Sequence, residues 1–270
     1  MHTEKSKDTS CQTYGSRFEA LQSRFKRNVY GTTKGLLRLD LLKEDFQEFI
    51  EPQLKGRSLV LDVGCGEGRL SLPLIQAGHV TTMMDISEEV LGSVKQRCET
   101  QKIDITRVNW LAGSLHSLLP GIEKNFDLVI MHAVMEWLDE PWQGLQLVLA
   151  RVVRGGLFSL AFYNRNSLIY RNLLQGNFRK IKKDNWQQSS TGLTPVNPIA
   201  PQQLYPYMEQ QGFELITKRG IRCFYDFMRP EVKQSRSYED VLEMERQYSR
   251  EEPFLSLGRY IHCLWRRTTD

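Results

Sequence analysis

The sequence predicts an α/β fold with a doubly wound, mostly parallel sheet of seven strands and helices on both faces. Short apolar runs alternate with helical patterns between residues 58 and 164, a rhythm typical of parallel strands joined by right-handed crossovers. The first run leads straight into a glycine-rich turn, which is where such sheets bind ligands. Two further strand patterns, at 213–220 and 260–267, complete the sheet.

The composition is that of an ordinary globular protein. Apolar residues make up 40% of the 270 and charged residues 25%, and no apolar run approaches the ~20 residues of a membrane span. Residues 1–16 are polar and lack the apolar core of a secretory signal, so we expect a flexible tail. The five cysteines are scattered and form no C-x-x-C pair, which indicates reduced thiols in the cytoplasm and neither a disulfide framework nor a zinc site.

After the tail we expect a single domain in four parts. These are N-terminal lid helices at 17–54, a core at 55–164, a basic insertion at 165–201, and C-terminal strands and helix at 202–270. In the lid, residues 28–35 interrupt two helical patterns with glycines, as loops beside binding sites often do. The second helical pattern, 36–51, ends at Pro52 and has one apolar stripe. The stripe consists of Leu39, Leu42, Phe46, Phe49 and Ile50.

The glycine-rich turn at 62–68 reads D-x-G-x-G-x-G, which differs from the dinucleotide fingerprint G-x-G-x-x-G. Glycine lacks a Cβ, so a ligand can lie against the backbone around Gly64, Cys65 and Gly66. The carboxylate of Asp62 would repel a pyrophosphate, but it suits a ligand with a cationic centre and an ammonium group. S-adenosylmethionine fits that description and NAD does not. Close packing of the strand against the next helix is the alternative explanation of the glycines.

The elements after the turn add polar groups at the same edge of the sheet. We predict a helix at 69–77 and a second strand at 79–85 that ends at Asp85, 21 residues after Gly64. At this spacing a carboxylate accepts hydrogen bonds from both hydroxyls of a ribose. Ser87 then begins the next helix.

Three more strands are predicted at 107–112, 126–132 and 157–164, with a helix at about 141–153. The turn at 113–116 would line an adenine pocket, and the fourth strand ends at His132. Ligands bind beyond the carboxyl ends of parallel strands, so these positions belong to one candidate site.

The insertion at 165–183 has six basic residues and no acidic one. Aromatic residues at Tyr163, Tyr170, Phe178 and Trp186 are interleaved with them. Basic groups bind phosphates and aromatic rings stack on unpaired bases, so the pattern indicates RNA binding, with a solvated helix face as the alternative. The best candidates for RNA contact are Arg165, Arg171, Arg179 and Lys180.

The C-terminal part begins with a polar loop at 187–201 and a helix at 202–211. Ser237 is expected to begin another helix, with Val241, Met244 and Tyr248 on one face.

Four segments carry a resemblance to a known family. They are RNVYGTTKG…LR near residue 30, HAVMEWL at 132–138, the FYN…GNF run, and EPFLSLGRYIH near the end, at 252–262. Over roughly 55–165 the chain resembles the class I S-adenosylmethionine-dependent methyltransferases. Over nearly the whole chain after residue 17 it resembles the bacterial tRNA 5-carboxymethoxyuridine methyltransferases. The glycine-turn motif is common to a large superfamily, whereas the RNVYGTTKG…LR and GRYIH segments are much more specific to this family.

The resemblance implies methyl transfer from S-adenosylmethionine to the carboxylate of 5-carboxymethoxyuridine at the tRNA wobble position. It implies that the anticodon stem-loop of tRNA is the partner. The implied cofactor contacts are Arg38, Gly64, Cys65, Asp85, Leu115, His116 and His132, and Cys65 stands where the family can have glycine.

A carboxylate acceptor has a pKa near 4 and is already ionised at neutral pH, so no general base and no metal are required. The enzyme needs only to align the reactants and exclude water. We expect Tyr163, Arg222, Arg259 and Tyr260 to form the pocket for a flipped base. Glu136 and Trp137 are expected to cap and pack the helix that follows them. Asp62 is expected to order the glycine turn or to meet the ammonium group through water.

Two alternative functions stay open on the sequence. One is a small-molecule carboxyl or oxygen methyltransferase of the same fold, which does not need the basic stretches and whose activity would be nearly independent of salt. The other is a cofactor-binding RNA-interaction protein without catalysis. An intact glycine turn and Asp85 argue against loss of the site.

Overall fold

The computed structural model describes residues 32–184, 186 and 195–268. The predicted tail, residues 17–31 of the predicted lid and residues 187–194 of the predicted polar loop lie outside these residues.

A sheet of seven strands forms the centre of the described fold, in the order β3-β2-β1-β4-β5-β7-β6. The strands are β1 Leu59–Val63, β2 Val80–Asp85, β3 Val108–Ala112, β4 Phe126–His132, β5 Val152–Tyr163, β6 Phe213–Ile221 and β7 Tyr260–Arg267. The first five are parallel, and β7 runs antiparallel between β5 and β6. This confirms the predicted fold class. The order reverses between β1 and β4, so the carboxyl ends of these two strands flank the crevice where such sheets bind ligands.

Eleven α-helices connect the strands within the described residues. They are α1 Thr33–Asp45, α2 Ser71–Gln76, α3 Glu88–Thr100, α4 Leu115–Leu118, α5 Pro141–Leu149, α6 Arg165–Leu174, α7 Phe178–Lys182, α8 Pro201–Gln210, α9 Pro230–Ser235, α10 Tyr238–Tyr248 and α11 Phe254–Leu257. Side chains cap several of them as expected, with Ser87 accepting from the N–H of Val90 and Ser237 from that of Asp240. No helix of the described chain has the length and apolar character needed to cross a bilayer.

Helix α1 starts before the predicted boundary and continues as a π-helical turn at Phe46–Ile50 and a 3₁₀ turn at Glu51–Gln53. The predicted apolar stripe is partly wrong, because Leu39 and Phe49 are only half-buried. The fully buried apolar positions are Leu37, Leu41, Leu42, Phe46 and Ile50. Leu37 and Leu41 pack with Ile221 of β6 and Val241 of α10, which explains why the buried face includes the early part of the helix.

Strand β5 begins earlier than predicted, at Val152, and helix α5 ends earlier, at Leu149. The sequence suggests that Gly155 and Gly156 follow a helix, but both lie within the strand. The pairing of β4 with β5 shifts register between Phe126 and Leu128, so a bulge accommodates the extra residues.

The core lies on both faces of the sheet, because alternate residues of each strand point to opposite sides. On one face Val60, Leu128 and Leu264 pack with Phe46 and Ile50. On the other face Leu61, Val129, Phe158 and Trp265 pack with residues of α5 and α8 such as Leu145 and Leu204.

Helix α10 buries Val241, Leu242 and Glu245, whereas Met244, from the face predicted with Val241 and Tyr248, is exposed. The carboxylate of Glu245 accepts hydrogen bonds from three backbone N–H groups, those of Cys223 at 2.8 Å, Tyr225 at 3.1 Å and Phe224 at 3.3 Å. A buried acid therefore takes the place of an apolar residue on this face, and it holds the loop that follows β6.

Candidate functional site

The glycine turn follows β1 directly and is held against β2. The N–H groups of Gly64 and Cys65 both donate to the carbonyl of Met84, at 2.8 and 2.9 Å. Gly64 has a φ of +68°, and a Cβ at this position would lie 2.3 Å from Cγ2 of Val134. Only glycine satisfies both constraints, and its missing side chain lets Val134 pack directly against the backbone of the turn.

Asp85 joins this turn to helix α3. Its two oxygens accept the backbone N–H of Gly66 and that of Ser87, each at 3.0 Å. Burial raises the pKa of Asp85, and these hydrogen bonds oppose the increase. Each oxygen has a second lone pair, so the carboxylate can also accept from two neighbouring hydroxyl groups.

Asp62 lies at the same edge and is hydrogen-bonded to Ser71 of helix α2, with the Ser71 hydroxyl 2.5 Å from Oδ2. This contact holds the start of the glycine turn against the helix. It agrees with the first of the two roles predicted for Asp62, which is to order the turn. Burial raises the pKa of Asp62 to about 7. The hydrogen bond from Ser71 opposes this increase, and the charge of Asp85 adds to it. Two carboxyl groups in one buried region favour a cationic ligand.

His132 ends β4, level with Gly64, since Val63 pairs with Met131. Its Nε2 is 2.8 Å from the hydroxyl of Ser159, and its Nδ1 is buried without a hydrogen-bond partner among the described residues. Burial above all, and then the neighbouring His262 and the charge of Arg38, hold the pKa of His132 well below its usual value. The imidazole is therefore neutral.

Leu115 and His116 lie at the start of α4, after the end of β3. Ser114 caps this short helix by accepting from the N–H of Ser117 at 3.2 Å. Leu115 is buried, whereas His116 is half-buried and its Nε2 has no hydrogen-bond partner in the described part of the chain.

The four residues predicted to form a base pocket lie together. Tyr163 and Tyr260 pair across β5 and β7, with ring centroids 5.4 Å apart and edge to face. Arg259 donates to the Tyr163 hydroxyl at 3.0 Å, and the Arg222 guanidinium lies 5.5 Å from the centroid of the Tyr260 ring. The Arg38 guanidinium lies 5.3 Å from the centroid of the same ring.

Asp226 is part of this cluster and was not predicted. It contacts Arg259 at 2.8 Å, Arg222 at 3.3 Å and Lys34 at 3.6 Å. Burial alone would raise the pKa of Asp226, but Arg222, Arg259 and Lys34 lower it to about 2. Nothing in the surrounding sequence marks this aspartate, because its partners come from α1, from the residue before β7 and from the loop after β6.

We call Lys34, Arg38, Arg222 and Arg259 the cationic pocket. Asp226 is the one carboxylate paired with members of this pocket in the described structure, so the pocket has an excess of positive charge. Arg222 has a φ of +59°, a strained conformation for arginine that the Glu245 hydrogen bonds to the next three residues stabilise. Such a pocket fits an anionic ligand.

Glu136 is fully buried beside this pocket, in the 3₁₀ turn Met135–Trp137. The prediction that it caps the next helix is wrong, because α5 has Glu140 at its N-cap and no side-chain cap. Neither carboxylate oxygen of Glu136 has a hydrogen-bond partner in the described residues. Burial raises the pKa of Glu136 to about 7, and nearby backbone N–H groups and the charge of Arg38 oppose the increase.

The basic insertion forms α6 and α7. Arg171 and Arg179 are exposed and Lys180 is half-exposed, whereas Arg165 is paired with Asp184 at 2.7 Å. Phe178, Leu173 and Leu174 are exposed next to them. Trp186, predicted as a stacking residue, is instead buried against Tyr163 and Leu168, with its N–H donated to Asp184.

Comparison with known proteins finds similarity to methyltransferases. Residues 60–156 match the family model described as a methyltransferase domain. A ubiquinone biosynthesis O-methyltransferase of Coxiella burnetii is 28% identical over 179 residues, which are 64% of this chain and 71% of that protein. The structure of magnesium protoporphyrin IX methyltransferase from Synechocystis PCC 6803 with bound SAH has a similar fold, with a TM-score of 0.65 at 15% identity over 95% of this chain and 99% of the other.

The sheet order, the glycine turn and the domain match define a class I methyltransferase that depends on S-adenosylmethionine. A tRNA 5-carboxymethoxyuridine methyltransferase of Escherichia coli (strain K12) is 33% identical over 250 residues, which are 93% of this chain and 95% of that protein. The chain belongs to the family of tRNA 5-carboxymethoxyuridine methyltransferases.

Proposed function

We propose that this protein methylates the carboxylate of 5-carboxymethoxyuridine at the wobble position of a tRNA anticodon and forms the methyl ester. The name of the Escherichia coli relative describes this activity. The observation that carries the proposal is the cationic pocket, which adjoins His132 at the end of β4 through Arg38. An anionic acceptor and a cationic methyl donor would then meet at one edge of the sheet.

The donor side of the site fits S-adenosylmethionine. Within the described residues, one buried imidazole nitrogen of His116 and one of His132 have no hydrogen-bond partner, and a bound ligand would complement them. Asp85 would accept from the ribose hydroxyls, Leu115 and His116 would contact the adenine, and Arg38 would bind the methionine carboxylate with its planar guanidinium. When bound, this cofactor supplies a methyl group that is already activated by a sulfonium.

The acceptor side needs to hold an anion and to exclude water. A carboxylic acid of ordinary pKa is ionised at neutral pH, so the chain does not have to supply a base. Arg222 and Arg259 would orient the carboxylate, and Tyr163 and Tyr260 would stack on or enclose the uracil ring. In this arrangement catalysis comes from alignment, and no residue of the chain exchanges a proton with the substrate.

Exposed groups on α6 and α7 support contact with RNA. Arg171 and Arg179 are accessible to phosphates, and Phe178 is 56% exposed and available for stacking. These helices directly follow Tyr163, so a bound anticodon loop could reach from the basic surface to the pocket.

The experiment is to incubate the protein with labelled S-adenosylmethionine and bulk tRNA from a strain that lacks the protein, and to analyse the nucleosides by mass. We expect 5-carboxymethoxyuridine to gain the mass of one methyl group. An Arg222→Ala, Arg259→Ala variant should lose this product. A variant with Lys102→Ala, an exposed residue near the opposite ends of the strands, should keep it.

The same assay separates the alternatives. Methylation of small carboxylic acids with little dependence on salt, and none of tRNA, would replace the proposal by a small-molecule methyltransferase. Binding of cofactor and tRNA without a methylated product would indicate a non-catalytic RNA-binding protein.

A further inference from the structure

A chain of hydrogen bonds runs behind His132, across three neighbouring strands. Oδ2 of Asp45 is 2.6 Å from Nδ1 of His262, Nε2 of His262 is 2.9 Å from the hydroxyl of Ser159, and that hydroxyl is 2.8 Å from Nε2 of His132. Both histidines pair with Ala161 of β5, one from each side. The small side chain of Ala161 leaves room for the two rings, whose centroids are 5.3 Å apart, and Ser159 bridges them.

The chain is buried along its length. Asp45, Ser159 and His262 are at most 1% exposed. The second oxygen of Asp45 pairs with Arg250 at 2.7 Å and with Arg219 at 3.2 Å. Burial by itself raises the pKa of Asp45, but the His262 hydrogen bond and the two arginines bring it below its usual value, so this group is a carboxylate at neutral pH.

The charges around Asp45 balance without a proton on His262. The acids of this cluster are Glu44, Asp45 and Glu48, and the bases are Arg219, Arg246 and Arg250. Glu48 and Arg246 are exposed, and the charges of the less exposed Glu44, Asp45, Arg219 and Arg250 already balance. Asp45 faces His262, but a proton on His262 would give this buried part of the cluster a net positive charge, which is unfavourable.

The direction of each hydrogen bond follows from this charge state. A carboxylate only accepts, so the proton of His262 is on Nδ1, and its Nε2 must accept from the hydroxyl of Ser159. The single proton of that hydroxyl is then used, so Ser159 accepts from His132, whose proton lies on Nε2. Because His132 is neutral, its Nδ1 has a free lone pair, and this is the nitrogen without a partner in the described residues.

We propose that Asp45, His262 and Ser159 are positioning residues that fix His132 in the Nε2–H tautomer, so that its Nδ1 accepts a hydrogen bond from the ammonium group of the methyl donor. This inference rests on the proposed function, which puts the donor at the glycine turn. In the strand order β3-β2-β1-β4, adenine and ribose belong to the ends of β3 and β2, so the methionine end lies at β4. An acceptor nitrogen, unlike an imidazolium, is compatible with an ammonium group and a sulfonium.

The tautomer is tested on the wild-type protein by two-bond ¹H–¹⁵N NMR of the histidine rings at neutral pH. We expect His132 with an unprotonated Nδ1, and His262 with an unprotonated Nε2. A proton on Nδ1 of His132 would overturn the proposal, and this measurement requires no variant to fold.

Calorimetry with two probes tests the role of the chain. S-adenosylhomocysteine has the ammonium group and 5′-methylthioadenosine lacks it. Ser159→Ala should weaken S-adenosylhomocysteine about tenfold, as expected for loss of one hydrogen bond to a charged group, and should leave 5′-methylthioadenosine unchanged. Ser167→Ala is the matched control, because it removes another fully buried hydroxyl that has no hydrogen-bond partner in the described chain.

The two failures are distinguishable. If the wild-type protein binds neither probe, the proposed function fails. If it binds both and Ser159→Ala weakens them equally or not at all, the proposed function stands and the positioning chain is refuted.

Discussion

Arg259 donates a hydrogen bond to the hydroxyl of Tyr163 at 3.0 Å, and this contact links the start of β7 to the carboxyl end of β5. The same guanidinium contacts Asp226 through Nε at 2.8 Å. Arg259, a member of the cationic pocket, therefore connects the aromatic residue Tyr163 to the carboxylate of Asp226. A change at Asp226 should affect the whole pocket.

Asp226→Asn should destabilise the protein near neutral pH and much less in acid. The folded pKa of Asp226 is about 2, below its ordinary value of 3.8, so its stabilising contribution is present above pH 3.8 and is lost as the pH falls toward 2. The difference corresponds to about 2 kcal/mol. Urea unfolding of wild type and variant between pH 2 and pH 6 checks it, with the exposed Asp139→Asn as the control. A difference in unfolding free energy that stays constant with pH would contradict the assignment.

Cofactor binding should strengthen as the pH rises through 7. The pKa of Asp62 is raised to about 7 by burial, and a cationic donor favours the ionised carboxylate, so binding should release a proton near neutral pH. Calorimetry in buffers of different ionisation enthalpy measures this release. Asp62→Asn should reduce it, whereas Asp104→Asn, on an exposed loop remote from the turn, should not. Glu136 also has a pKa of about 7, so an undiminished release in Asp62→Asn would point to Glu136.

The sequence predicted the strands and the edge of the sheet where the glycine turn meets Asp85, because these depend on local patterns. The run at 58–62, the glycines after it and the spacing to Asp85 are readable within about 30 residues. The same holds for the helix caps at Ser87 and Ser237, since capping is a local interaction.

The parts that could not be predicted depend on contacts between distant segments. Asp45 and His262 are 217 residues apart in the chain, and Ser159 is an ordinary strand residue until both histidines are in position. Glu245 interrupts an apolar face because its partners are backbone groups of another segment, which a helical pattern does not reveal. Trp186 fits a stacking pattern by type, yet it packs inward against Leu168.

Asp85→Ala should weaken S-adenosylmethionine binding by about 2 to 4 kcal/mol, since one or two hydrogen bonds to a charged group would be removed. The variant also frees the N–H groups of Gly66 and Ser87, so part of the effect will come from a less ordered turn. Calorimetry measures the affinity, and circular dichroism checks that the fold is kept. Asp104→Ala is the control at an exposed aspartate. Unchanged affinity in Asp85→Ala would remove the ribose assignment.

Replacing Arg171, Arg179 and Lys180 together by alanine should lower tRNA affinity and flatten its dependence on salt. Removing one phosphate contact should reduce the slope of log affinity against log salt by roughly 0.7 to 0.9. Arg165 is left in place because its guanidinium is already paired with Asp184.

The control is a triple alanine variant of Arg57, Lys102 and Lys124, which are exposed near the opposite ends of the strands. It removes the same amount of positive charge. Filter binding of tRNA between about 50 and 200 mM salt distinguishes the two variants. Equal slopes for both triple variants would mean that α6 and α7 are only a solvated face, because a general decrease in positive charge would then explain the whole effect.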